Sequence, residues 1–334
     1  MADLLTPWAI RAASTLGLPQ AVAAGASSVT EIAAAVSVNP AAAGKLLRYL
    51  ARHDVFTETS PGRFALGPLG QVMAADLRFP LRMMLDTTGM QSRFGQAAAG
   101  LADAVRSGDA AYPAVFGRSL WADLAADPVL GRAFDDLMTK SAIRWVPALL
   151  TARDWGQLTH VADIGGGTGE LLIELLQAAP GLRGTLVELP DVAERAEARL
   201  AAAGLSERAV VAPGSFFESL PPGANLYVLA QVLHDWPDAE AELILRRCRE
   251  AAGPAGRVLL VERVVDEDQP EDSHTDMDLL MLVLFGAAER SRSDLARLAA
   301  AAGLRLGALT PLGLGMSAVE CEPAGLPDDL DAGR

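Results

Sequence analysis

His160-Val161-Ala162-Asp163-Ile164-Gly165-Gly166-Gly167-Thr168-Gly169-Glu170 is the stretch on which the fold turns. A short apolar run ends in a glycine loop, and a helical pattern over 170–179 follows at once, which is the order strand, turn, helix. Further apolar runs at 184–188, 209–212, 225–233 and 256–262 alternate with helical patterns at 191–203 and 237–252. That alternation predicts an α/β domain built on a doubly wound, mostly parallel sheet.

Upstream of residue 150 the character is different. Thr30 to Val36 reads as a short helix capped by Thr30. Asn39-Pro40 opens a second helix, with Pro40 at its first position and Leu46, Leu47 and Leu50 on one face. Residues 55–59, the turn Ser60-Pro61-Gly62 and residues 63–66 read as a two-stranded wing. Helix, helix and wing form a winged-helix pattern, so the chain is divided into a helical domain at 1–150 and a sheet domain at 151–334.

Composition narrows the class. The 334 residues carry a net charge of −14, and an acidic surface repels phosphate backbones, so no nucleic-acid partner is expected. Two cysteines, Cys248 and Cys321, lie far apart without metal-ligand spacing, which reads as a cytoplasmic chain without disulfides. No signal peptide opens the sequence. The longest apolar run, Leu279 to Ala288, falls well short of the roughly 18 residues of a membrane span. His53, His160 and His274 are scattered and suggest no metal site.

In an open α/β sheet, ligands bind beyond the carboxyl ends of the strands. Those ends here offer the glycine loop after Asp163, then Glu188, Gly214-Ser215-Phe216-Phe217, His234-Asp235-Trp236 and Glu262. The loop allows close backbone approach, and Glu188 stands at the spacing of a ribose-gripping acid. A dinucleotide fingerprint would need a third glycine where Glu170 stands, and a carboxylate there opposes pyrophosphate. A phosphate-free nucleoside bearing a positive sulfonium fits better.

His234 lies just before the helix expected from Pro237, with Asp235 or Trp236 as its cap, and so at the mouth of the sheet. Transfer of a methyl group to a phenol needs the hydroxyl proton removed, and histidine is the commonest base for that near neutral pH. The alternative is a strand-end histidine with a satisfied hydrogen bond. Glu262 and Glu289 could orient the imidazole or form surface ion pairs, and for Glu289, beside Arg290, the surface ion pair is the better reading. Phe134, Met138 and Trp145 share a helical stripe, either core or substrate wall. Asp191, Glu194, Arg195, Glu197 and Arg199 read as a solvated helix face, and the acidic stretch 266–272 as an exposed loop.

Asp163 to Gly169, Gly214-Ser215-Phe216-Phe217-Glu218, His234-Asp235-Trp236 and Glu289-Arg290-Ser291 together resemble the S-adenosylmethionine-dependent small-molecule O-methyltransferases. These include the plant caffeate and flavonoid enzymes and bacterial enzymes that tailor aromatic polyketides, and the chain is most similar to naphthoate O-methyltransferases of enediyne pathways. The resemblance spans the chain. It implies a Rossmann-like methyltransferase domain behind a winged-helix-like dimerisation domain, a homodimer, and a small aromatic substrate. It implies His234 as general base flanked by Glu262 and Glu289, without a metal. For S-adenosylmethionine, and S-adenosylhomocysteine as product, it implies a site from Asp163, Gly165, Gly167, Glu188, Gly214, Ser215, Phe216 and Gln231. It implies a substrate wall from Phe134, Met138, Met277, Met281 and Phe285.

Ser215 stands where many relatives have Asp, and Ala230 where many have Lys, so cofactor contacts are expected to differ. The chain also begins late, so a leading dimerisation helix is expected to be missing or the start to be internal. Three other readings stay open: a related fold that binds the same cofactor but catalyses hydroxylation, decarboxylation or a pericyclic step; a winged-helix regulator; and a nicotinamide oxidoreductase. The histidine and its glutamates weigh against the first. The second must work with Lys45 and Arg48 alone on the Pro40 helix, and Glu170 opposes the third.

Overall fold

The structure, a computed structural model, describes residues 3–75, 81–266 and 275–325. The chain separates into compact units at 1–96 and 97–334. The boundary expected near 150 therefore moves forward. Helical composition does not say which core a helix joins, and Trp145, Val146 and Leu149 are buried in one cluster with Leu171, Leu175 and Val228 of the sheet unit.

In the first unit, helix Val29–Ala35 is capped by Ser28 and not by Thr30. Ser28 Oγ accepts from the Glu31 amide at 3.2 Å, and Glu31 Oε2 accepts from the Ser28 amide at 2.9 Å. This reciprocal pair satisfies two amides that a helix leaves open. Helix Pro40–Leu50 begins as expected, with Asn39 Oδ1 accepting from the Ala42 amide at 3.0 Å. Strands β1 (Phe56–Ser60) and β2 (Arg63–Leu66) form the wing. Ile32, Leu47, Leu50, Phe56 and Phe64 fill the small core.

The second unit is built on β3 (His160–Ile164), β4 (Arg183–Glu188), β5 (Ala209–Pro213), β6 (Leu226–Ala230) and β7 (Arg257–Val265). They run in parallel in the order β5-β4-β3-β6-β7. Short β8 (Arg290–Ser291) joins β7 in parallel, and β10 (Met316–Pro323) with β9 (Leu304–Gly313) extends that edge antiparallel. β8, β9 and β10 lie beyond the last strand expected from the sequence. Both faces of the central strands are buried, as parallel strands covered by helices must be.

Two boundaries differ in ways that matter. β6 ends at Ala230, short of the expected residue 233, because Gln231 turns the chain at φ +55°. β7 runs on past Glu262 to Val265, so Glu262 is an internal strand residue. The next helix is Asp238–Ala252, with Pro237 at its N-cap and no side-chain cap, so neither Asp235 nor Trp236 serves that role. Among the described residues no helix is long and apolar enough to cross a membrane. Residues 267–274, with His274 and most of the acidic stretch, lie outside the described residues.

Candidate active site

The chain order reverses between β3 and β6, which places a crevice beyond their carboxyl ends. A cavity of about 1050 Å³ opens there. On one side lies the glycine loop, with Gly165 at φ +69° and Gly167 at φ +57°, conformations that glycine adopts without strain. Gly166 is required for a different reason: a Cβ there would stand 2.3 Å from Asp163 Oδ2.

Glu188 closes this side. Its Oε1 accepts from the Gly167 amide at 3.1 Å and its Oε2 from the Leu189 amide at 2.7 Å. Burial raises its pKa against those two amides. Asp163 is wholly buried with neither carboxyl oxygen hydrogen-bonded among the described residues. Burial, then the charge of Glu188, push it up to about 7. Gly214, Ser215 and Phe216 line the opposite side, as do Gln231 and Ala230. Ser215 Oγ accepts from the Phe217 amide at 3.2 Å.

All eight residues expected at the cofactor therefore gather at one crevice. Glu170 sits at the start of the helix after the loop and is paired with Arg199. Arg199 also donates to Thr168 Oγ1 at 2.5 Å and Thr139 Oγ1 at 3.1 Å. Arg195 Nε donates to Asp135 Oδ2 at 2.5 Å. The helix face read as solvated thus holds the glycine loop to helix Pro128–Ala142. The sequence carried no sign of this, because those acceptors are distant in the chain.

His234 sits in the turn Leu233–Asp235 after β6, and it is buried. Its Nδ1 lies 3.0 Å from Glu289 Oε1, and its Nε2 lies 3.5 Å from Asp235 Oδ1. Glu289 is itself buried, so the surface ion-pair reading fails. Arg290 points elsewhere: its guanidinium donates to the carbonyls of Leu233 at 2.6 Å and Trp236 at 2.7 Å, on either side of the histidine, and to Asp238. Glu262 Oε1 accepts from the amides of Val232 at 3.1 Å and Leu233 at 2.8 Å. Glu262 thus shapes the turn, while Glu289 holds the ring.

Burial opposes a charge on His234. Asp235, the hydrogen bond to Glu289, and the charges of Glu289 and Glu262 outweigh it and push the imidazole up to about 10. Burial raises Asp235 to about 7, with His234 pulling it down and Glu262 and Glu289 pushing it up. Ligand atoms of His234, Glu262 and Glu289 all lie within 4.8 Å of one another, a spacing that could chelate an ion. Nδ1 is engaged by Glu289 and Glu262 Oε1 by two amides, while Oε2 of each glutamate has no hydrogen-bond partner among the described residues. His160 instead bonds Thr185 Oγ1 at 2.9 Å from the opening residue of β3, and His53 bonds Thr6 in the first unit.

The residues expected at the substrate wall do not all reach one cavity. Phe134 and Met138 line the cavity, but Met281 is core and Met277 lines a smaller cavity. Phe285 stacks on Trp121 at 5.3 Å, and Trp121 lines the main cavity. Trp121 also stacks on Trp236 at 6.2 Å and meets the edge of Phe134 at 5.6 Å. Trp121, Trp236 and Asp235, which also faces the cavity, were not assigned from sequence. The run His234-Asp235-Trp236 was the available signal for two of them. Trp145 is buried and donates to Gln231 Oε1 at 3.2 Å.

The family description "O-methyltransferase domain" matches residues 99–305, and "O-methyltransferase dimerisation domain" matches 1–76. A 2,7-dihydroxy-5-methyl-1-naphthoate 7-O-methyltransferase of Streptomyces carzinostaticus is 42% identical over 93% of each chain. Aclacinomycin 10-hydroxylase of Streptomyces purpurascens is 39% identical over 92% of this chain and 83% of its own length. A solved O-methyltransferase from neocarzinostatin biosynthesis, in complex with S-adenosylmethionine and 2-hydroxy-5-methyl naphthoic acid, superposes with a TM-score of 0.88 at 42% identity. That match covers 96% of this chain and 97% of the other.

Proposed function

The chain belongs to the S-adenosylmethionine-dependent O-methyltransferases, and we propose that it methylates a hydroxyl of a flat aromatic acid of the naphthoate kind, with His234 as base. One observation carries the reading of the base. A buried imidazole has its Nδ1 held by Glu289 at 3.0 Å while Asp235, beside its Nε2, lines the large aromatic-walled cavity.

Glu289 fixes the tautomer with the proton on Nδ1, leaving the Nε2 lone pair for the hydroxyl proton. As Nε2 takes that proton, Asp235, Glu289 and Glu262 stabilise the imidazolium against the cost of burial. Arg290 and Glu262 hold the turn so that the ring does not swing. Trp121, Trp236 and Phe134 offer flat apolar contacts that align an aromatic ring and exclude water.

S-adenosylmethionine, when bound, supplies an electrophilic methyl on a sulfonium. Glu188, the backbone of Gly165 and Gly167, Ser215 and Phe216 would hold it. No role here calls on a metal. Residues 1–76 match the dimerisation domain, and Trp8 is half exposed on helix Thr6–Leu16, so we assign a homodimer. Cys248 and Cys321 are free and buried, in keeping with a reducing cytoplasm. The net charge of −14 argues against a nucleic-acid partner.

The hydroxylase among the relatives sets the test. The protein is incubated with S-adenosylmethionine and a hydroxynaphthoate, and S-adenosylhomocysteine is counted against product. One equivalent per methylated product supports the reading; oxygenated product without S-adenosylhomocysteine contradicts it.

A further inference from the structure

We propose that Arg263 is a positioning residue for the transfer, because its guanidinium faces Glu289 and keeps that carboxylate aimed at His234. The inference rests on the reading of His234 as base. Arg263 follows Glu262 on β7 and pairs with Met316 at the start of β10. The hairpin between β9 and β10 is a tight turn with Gly313, Leu314 and Gly315 at φ +81°, +55° and +72°. Arg263 Nη1 donates to the Leu314 carbonyl at that tip, at 3.0 Å. One end of the guanidinium is thereby tied to the hairpin.

Its other edge turns inward. Arg263 Nε lies 3.9 Å from Glu289 Oε1, the oxygen that meets His234 Nδ1 at 3.0 Å. Nε is buried and has no hydrogen-bond acceptor among the described residues, so its nearest counter-charge is this carboxylate. Arg144 and Asp276 line the small cavity that Arg263 also lines, and carboxylates crowd the side toward His234. Asp235 comes from the histidine's own turn and Glu262 from β7. Asp278, on helix Thr275–Phe285, accepts from the Glu289 amide at 2.8 Å. The guanidinium of Arg290 is committed to the carbonyls of Leu233 and Trp236 and to Asp238. Among the described residues Arg263 is the arginine whose guanidinium approaches the Glu289 carboxylate, at 3.9 Å. Without it the field of Glu289 and the neighbouring carboxylates acts on the imidazole unopposed, which keeps the ring protonated to higher pH.

The test compares Arg263→Lys, Arg263→Gln and Arg263→Met with the unaltered protein and with His234→Ala, reading kcat against pH, S-adenosylhomocysteine affinity and thermal midpoint. Removing a positive charge near His234 makes its protonated form easier to hold. The acid limb of kcat in Arg263→Gln and Arg263→Met should move upward by about one pH unit, with kcat near neutrality about tenfold lower. Arg263→Lys should restore most of the rate, and cofactor affinity should be unchanged in all three. If Arg263→Met does not fold, Arg263→Gln, which keeps hydrogen-bonding reach without charge, decides alone. A limb and kcat as in the unaltered protein, with His234→Ala impaired, overturn the inference and leave the base in place. Equal loss in Arg263→Lys and Arg263→Gln with unmoved limbs also overturns it. An unimpaired His234→Ala overturns the reading of the base instead.

Discussion

His234 and Glu289 are separated by 55 positions in sequence, yet Nδ1 of the first lies 3.0 Å from Oε1 of the second, and both side chains are buried. On the proposed reading of His234 as base, the contact fixes which ring nitrogen is left to accept a proton. It also joins two elements, the turn after β6 and the entry to β8, whose register is set by Arg290.

Glu289→Gln keeps an acceptor at Nδ1 but removes a negative charge. A negative neighbour raises the pKa of an imidazole, so its removal lowers it. The base must be unprotonated to act, so activity rises as pH passes upward through that pKa. In the unaltered protein this rise should lie above the ordinary histidine value of 6.5. In Glu289→Gln the limb should move to lower pH, with the plateau about tenfold lower or more. Stopped assays across pH 5 to 10, in overlapping buffers, measure both.

Glu188→Ala removes the acceptor of the Gly167 amide and, on the proposed reading, the acid that meets the ribose hydroxyls. Lost charge-assisted hydrogen bonds of about 1.5–3 kcal/mol weaken binding roughly ten- to hundredfold. Calorimetry with S-adenosylhomocysteine should report that loss, while kcat at saturating cofactor stays within about threefold.

Asp163 is pushed up to about 7 by burial and by Glu188. A carboxyl whose folded pKa is raised favours folding while it is protonated in the native state. That contribution is fully present below about 3.8 and is lost as pH climbs to about 7. Asp163→Asn cannot ionise, so its thermal midpoint relative to the unaltered protein should improve from pH 5 to pH 8. Differential scanning at several pH values reads the slope; a constant difference would show that Asp163 is ionised in the fold.

The glycine loop and His234 were legible because each stands in a short run of telling neighbours, and Glu188 because of its spacing from the loop. So were the five parallel strands, through the alternation of apolar runs with helices. Long-range polar contacts were not. Nothing local marks Glu262 as the acceptor of the Val232 and Leu233 amides. Nothing local separates Arg195 and Arg199, which grip Asp135 and Thr168, from an ordinary charged helix face. The domain boundary moved for the same reason: helices up to residue 151 have the composition of the first unit but bury Trp145 and Leu149 against the sheet. β9 escaped notice because Gly307 and Pro311 interrupt its pattern and much of it is exposed.

Arg290→Met deletes the donors to the Leu233 and Trp236 carbonyls in a buried setting. Leaving such groups unpaired should cost about 2–4 kcal/mol of stability. Because the same carbonyls flank His234, kcat should fall further than that of an equally destabilised variant in the first unit. Urea melts combined with kcat below the transition separate the two effects.

The most direct test is the single-turnover rate of methyl transfer in His234→Ala, with S-adenosylmethionine and a hydroxynaphthoate at saturation. Removal of the base should slow transfer by about a hundredfold or more, with S-adenosylhomocysteine binding unchanged. A rate within a few fold of the unaltered protein would mean that proximity alone drives the reaction, and that the buried contact between His234 and Glu289 serves only the fold.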